Sequence, residues 1–166
     1  MSNVPAPLKT LADEIMSHSA VVALTIATAE SCTAARLSCL LAQAEGSAKA
    51  FAGGFVTYSK EAKTALLGVP ATLLTQETAV SANVAETMAR GAVRRAQASL
   101  GVAITGVTGA KPDEDGNPIG LVFCAAARED GNTRSARFEL KERRAGRARD
   151  RACQSALVLL RQMAVT

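Results

Sequence analysis

The chain contains no tryptophan, a single tyrosine (Tyr58) and the phenylalanines Phe51, Phe55, Phe123 and Phe138. So few aromatics speak against a nucleic-acid surface of stacked rings, which needs several exposed side chains of that kind. They also leave the core to Ala, Val, Leu and Ile. Histidine is represented by His18 alone, and the cysteines Cys32, Cys39, Cys124 and Cys153 form no C-x-x-C pair. Zinc sites draw on clustered Cys and His, so no metal site is expected. No apolar run approaches the roughly 20 residues of a membrane span. Met1 to Pro7 lack the basic and apolar regions of a secretory signal. The expected setting is a reduced cytoplasm without membrane attachment. Cys39, Cys124 and Cys153, in apolar or small-residue runs, are expected as buried free thiols.

What is present suits one globular domain spanning 1–166. Its 166 residues are enough to bury a full core, and 48% are hydrophobic against 20% charged. A net charge of +4 favours an anionic ligand. Much of the charge gathers at Arg143, Arg144, Arg147, Arg149 and Arg151, a pattern that reads first as a solvated helix face.

Leu8, Leu11, Ala12, Ile15 and Met16 recur at helical spacing. Val21 to Thr28 is β-branched and apolar, and reads as a buried strand. Leu37, Leu40, Leu41 and Ala44 then predict a helix closed by Gly46. Gly54 to Thr57 reads as a short strand, and Ser59 caps a helix that Gly68-Val69-Pro70 ends. Ser81 caps another, with Val84, Met88, Ala92 and Ala96 on one face. Val102 to Thr105 is a third strand, followed by a polar loop from Gly106 to Pro118. Ile119 to Ala127 and Arg134 to Leu140 read as a hairpin turning at Asp130-Gly131-Asn132, and a helix with Ala148, Ala152, Ala156, Leu159 and Leu160 on one side ends the chain. Strands alternating with helices predict an α/β fold, a three-layer α/β/α sandwich with a mixed sheet. The two Ala-rich helices, 82–98 and 148–163, could pack on each other or build a homo-oligomer.

Three segments stand where such folds hold ligands. Thr28-Ala29-Glu30-Ser31-Cys32-Thr33 joins a strand end to a helix start, a place suited to an anion and to an exposed nucleophile. Read alone, Ser31 or Thr33 also fits a simple N-cap. Tyr58-Ser59-Lys60-Glu61-Ala62-Lys63 carries a lysine that burial and a helix start would turn into a usable base; an ordinary exposed lysine fits too. Thr105-Gly106-Val107-Thr108-Gly109 follows a strand and lets a backbone approach a ligand, but lacks the Gly-Lys-Ser/Thr of a P-loop. No spacing rule pairs Ser31 with Lys63.

Taken together, T-A-E-S-C-T at 28–33, F-V-T-Y-S-K-E-A-K at 55–63, L-L-G-V-P at 66–70, A-V-S at 79–81, and T-G-V-T-G at 105–109 with P-I-G at 118–120 follow one order. This pattern resembles the CinA C-terminal family over about Leu8 to Leu160. The resemblance implies a cofactor-free hydrolysis of the amide of nicotinamide mononucleotide to nicotinate mononucleotide and ammonia. It implies Ser31 as nucleophile, Lys63 as its base and Tyr58 beside them. Glu30, Cys32, Thr33, Thr105 and Gly106 would contact the nucleotide, and Arg143 or Arg144 its phosphate. Three segments depart from the family pattern: Ala34-Ala35 replaces Gly-Gly, 110–115 replaces a glycine-rich run, and Phe138 to Arg144 replaces F-x-G-D-R. An alternative expectation is therefore a nucleotide-binding module of this fold with impaired catalysis. A nucleic-acid accessory role, suggested by the arginine cluster, ranks last.

Overall fold

The computed structural model describes residues 4–142 and 144–164. In chain order its elements are α1 (Ala6–Val21), β1 (Ile26–Glu30), α2 (Arg36–Ala42), α3 (Ser47–Ala50), β2 (Phe51–Val56) and α4 (Lys60–Leu67). There follow α5 (Ala71–Glu77), α6 (Ala82–Ala96), β3 (Leu100–Gly106), β4 (Leu121–Arg128), β5 (Thr133–Glu139) and α7 (Ala145–Ala164). The strands form one sheet in the order β2-β1-β3-β4-β5. β1 is parallel to both β2 and β3, whereas β3-β4 and β4-β5 are antiparallel, so the sheet is mixed as expected.

Alternation along the strands divides the core in two. Leu100, Val102, Ile104, Val122, Cys124 and Ala126 face α1, α2 and α7. Ala27, Ala29, Ala103, Ala125 and Ala127 face α4, α5 and α6. The second face is almost all alanine, and Gly101 interrupts it where α6 comes nearest. A methyl at Gly101 would strike the Ala89 carbonyl of that helix. The Ala-rich faces of α6 and α7 are thus spent on opposite sides of the sheet, and the two helices do not pack on each other.

Several boundaries differ from the sequence reading. α1 continues through Val21, the Val22 N–H bonds to the His18 carbonyl at 3.1 Å, and Ala23 turns the chain at φ 58°. Strand β1 therefore starts only at Ile26; the β-branched residues before it are overridden by the helix they close. Gly46 does not end the preceding helix: Gln43 does, and Gly46 opens the short α3. Helices α3 and α5, of 4 and 7 residues, were too short to show a period. Cys124 and Cys153 are buried, but Cys39 lies on the outer face of α2 and is exposed, because Leu37, Leu40 and Leu41 fill its inner face. No helix among the described residues is long and apolar enough to cross a membrane.

Because β1, β2 and β3 run the same way, Glu30, Val56 and Gly106 end at one edge of the sheet. The three segments singled out in the sequence leave from there.

Candidate active site

Ser31 follows β1 directly. Its N–H still belongs to the sheet, bonding the Ile104 carbonyl of β3 at 3.0 Å. The chain then turns through Cys32, Thr33, Ala34 and Ala35 into α2, with Ala34 and Ala35 at φ 50° and 67°. That left-handed conformation costs an L-residue roughly 1–2 kcal/mol. The turn is held by Glu30, whose fully buried carboxylate accepts from Thr33 Oγ1 at 2.7 Å, Leu37 N at 3.0 Å, Ser38 N at 2.7 Å and the Ser38 hydroxyl. An acid at a helix start is favourable on charge grounds as well.

Lys63 comes from the second turn of α4. Ser59 starts that helix by accepting the Ala62 N–H at 3.1 Å. Lys63 is only 1% exposed, and its Nζ lies 3.0 Å from Ser31 Oγ, 2.7 Å from the Thr57 carbonyl and 3.5 Å from the Tyr58 carbonyl. No carboxylate among the described residues pairs with it. Burial therefore pulls its pKa down to about 8, with the charge of Lys60 acting in the same direction. Cys32, next to Ser31, has the opposite fate: burial pushes its thiol up to about 12. At neutral pH it is an uncharged thiol and gives Lys63 no counter-ion.

These groups line a cavity of about 550 Å³. Its walls include Ser31, Cys32, Ala34, Lys63, Thr105 and Gly106, with Tyr58 and the loop after Gly106, 107–109 and 111–115, completing the lining. The Thr105 hydroxyl donates to the Ala79 carbonyl at 2.6 Å, and the Thr108 hydroxyl to the Cys32 carbonyl at 3.0 Å. Gly106 allows the β4 backbone to pass close by: a methyl there would stand 2.6 Å from the Leu121 carbonyl oxygen. Arg149 reaches the same cavity from α7, and its Nε is buried with no hydrogen-bond partner among the described residues. Among those residues no three His, Cys, Asp or Glu side chains gather as metal ligands.

The sequence reading is thus partly reassembled and partly corrected. Ser31 and Lys63, which no spacing rule could join, meet. Cys32, Thr105 and Gly106 are in the cavity wall. Tyr58 lines the mouth, but its side chain is 78% exposed and what reaches Lys63 is its main-chain carbonyl. Glu30 and Thr33 do not face the cavity. They bind each other and, through Glu30, the amides of α2, so the helix start reserved for an anionic substrate is already occupied. Arg143 lies outside the described residues. Arg144 is exposed and away from the cavity, whereas Arg149, read as part of a solvated face, lines it. Its signal was present only in hindsight: on α7 Arg149 directly follows the buried Ala148, which turns it toward the protein.

A family model described as the CinA C-terminal domain matches residues 8–164. A CinA-like protein of Mycolicibacterium gilvum is 44% identical over 138 residues, covering 83% of this chain and 32% of that protein. One from Geobacter sulfurreducens is 45% identical over 116 residues, covering 69% and 28%. The chain therefore spans about a third of the length of the curated relatives it matches. Among solved structures, the competence/damage inducible protein CihA from Agrobacterium tumefaciens superposes with a TM-score of 0.93 at 33% identity, covering 98% of this chain and 99% of that one. A CinA superfamily protein from Escherichia coli gives 0.89 at 32% identity, covering 97% and 94%. A family match over nearly the whole chain, together with relatives and superposed structures of the same kind, shows that the chain belongs to the CinA C-terminal domain family.

Proposed function

We propose that this domain hydrolyses the carboxamide of nicotinamide mononucleotide, giving nicotinate mononucleotide and ammonia. The observation that carries the proposal is the buried Lys63 Nζ at 3.0 Å from Ser31 Oγ, without a carboxylate partner. A neutral amine has two N–H groups and one lone pair. The Thr57 and Tyr58 carbonyls take the N–H groups, which leaves the lone pair for the Ser31 hydroxyl proton. Deprotonation at a pKa of about 8 lets a useful fraction of Lys63 act in this way near neutrality.

Ser31 Oγ then attacks the amide carbon as its proton passes to Lys63. The amide of Cys32, in the cavity wall beside Ser31, is the donor at hand for the oxyanion. Lys63 returns the proton to the leaving nitrogen, and ammonia departs from an acyl ester on Ser31. Water, giving its proton to Lys63, hydrolyses that ester and restores the hydroxyl. Arg149, in the wall of the same cavity, supplies the cation for the phosphate.

The test is ammonia release from nicotinamide mononucleotide by the purified protein, repeated with Ser31→Ala and Lys63→Ala. Turnover by the wild type that both substitutions reduce by about a thousandfold or more is the expected result. An inactive wild type, or full activity in both variants, overturns the proposal. Tight calorimetric binding of the nucleotide with no product points instead to a binding module with impaired catalysis.

A further inference from the structure

Lys60 opens α4 one turn before Lys63, and residues three apart on a helix are surface neighbours. Both line the cavity. Lys60 does not face its acids on its own helix: its Nζ meets Asp115 Oδ1 at 2.7 Å and Glu114 Oε1 at 3.4 Å, on the loop across the opening. Asp115 keeps Lys60 firmly protonated, raising its pKa above the ordinary lysine value. The loop is shaped to deliver those acids. Asp113 Oδ1 accepts the Asp115 and Asn117 N–H groups, and Asn117 Nδ2 donates to Thr78 Oγ1 at 3.1 Å.

We propose that Lys60 and the acidic pair Glu114–Asp115 form a charge regulator of Lys63, in which the loop sets the proton affinity of the base by covering or uncovering the Lys60 charge. The idea rests on the reading of Lys63 as the base of the site. Lys60 is a positioning residue: it touches no reacting atom and acts through Lys63. The other charges facing the cavity are Arg149 from α7, Lys111 and Asp113 from the loop, and Glu61 from α4. Cys32 from the Ser31 turn is an uncharged thiol there. None of these is bonded to Lys60, so its contacts with Asp115 and Glu114 are the charge contacts that a loop movement makes or breaks. With the acids in place the Lys60 charge is offset and Lys63 is the stronger base, as taking the serine proton requires. With the loop lifted, bare Lys60 repels that proton and makes protonated Lys63 the stronger acid, as delivery to the leaving amine requires.

The two halves of this contact have opposite effects on Lys63, which separates regulation from mere bracing. In lysine-labelled protein at low salt, the Lys63 titration is followed directly by NMR. Lys60→Gln is expected to raise its midpoint by about half a pH unit, and the double variant Glu114→Gln/Asp115→Asn to lower it by about as much. Lys60→Arg, which keeps charge and contact, leaves it in place, and added salt shrinks both shifts. The acid limb of the pH–rate profile on nicotinamide mononucleotide moves with the titration. Shifts in the same direction, or a midpoint indifferent to both variants, overturn the proposal. Opposite shifts in a protein without amidase activity leave the regulator standing and remove the proposed reaction; activity that depends on Ser31 and Lys63 with an indifferent midpoint does the reverse.

Discussion

Lys63 Nζ and Ser31 Oγ stand 3.0 Å apart although 32 residues separate them in the chain. The lysine is drawn into the interior by main-chain carbonyls rather than by an opposite charge, and its base strength follows from that choice of partners.

Burial has a cost that depends on pH. The pKa of Lys63 is about 8 in the folded protein against an ordinary 10.5, so between those values the unfolded chain binds the extra proton. Stability therefore rises with pH across this window and is lower below it. Lys63→Met removes the dependence. Denaturant unfolding at pH 7 and at pH 10.5 is expected to show the wild type gaining on the variant by about 3 kcal/mol at the higher pH. A parallel response of the two proteins would contradict the assigned burial.

Glu30 is expected to act on stability before chemistry. Glu30→Gln places an NH2 group among donors that all point at a carboxylate, and weakens what remains. A loss of about 2–4 kcal/mol in urea unfolding is predicted, with ligand affinity per folded molecule little changed. Full stability with lost binding would put Glu30 in the cavity after all.

Arg149 is predicted to govern affinity for the charged end of the substrate. Arg149→Met should raise KM for nicotinamide mononucleotide by roughly tenfold to a hundredfold, the worth of a charge-assisted hydrogen bond. Hydrolysis of the uncharged-tail nicotinamide riboside should hardly respond. Equal losses on both substrates would mean that Arg149 acts on something other than phosphate.

At Ala34 and Ala35 the backbone already adopts a conformation that glycine accepts without strain. Ala34→Gly and Ala35→Gly are each expected to stabilise the fold, by about 0.5–1 kcal/mol after the added entropy of the unfolded chain. Only Ala34 lines the cavity, so only its replacement should also alter KM. Thermal unfolding and kinetics on the two single variants separate these effects; destabilisation by both would contradict the turn geometry.

The layers were legible from the sequence because strands such as Leu100–Gly106 are apolar throughout and helices such as α6 carry a clear stripe. The site was legible only in pieces. Ser31 and Lys63 each stood out at a strand-to-helix junction, but the parallel pairing of β1 and β2 that unites them is a tertiary fact. Glu30 was misread because its position beside the serine suggests the cavity, while strand alternation turns its side chain beneath the turn. Arg149 was missed for the converse reason. It sits in a charged run whose average is exposed, and one helical position decides which arginine turns inward.

The Thr57 N–H bonds to the Glu30 carbonyl at 2.8 Å, and the Thr57 carbonyl holds Lys63. The distance between nucleophile and base is thereby written into the register of two neighbouring strands. It follows that the chain can absorb changes of length very unevenly. Residues added to the loop at 109–116 lie outside this linkage and would leave the pair assembled. A single residue inserted between Phe51 and Thr57 would turn the Thr57 carbonyl to the far side of the strand and release the lysine.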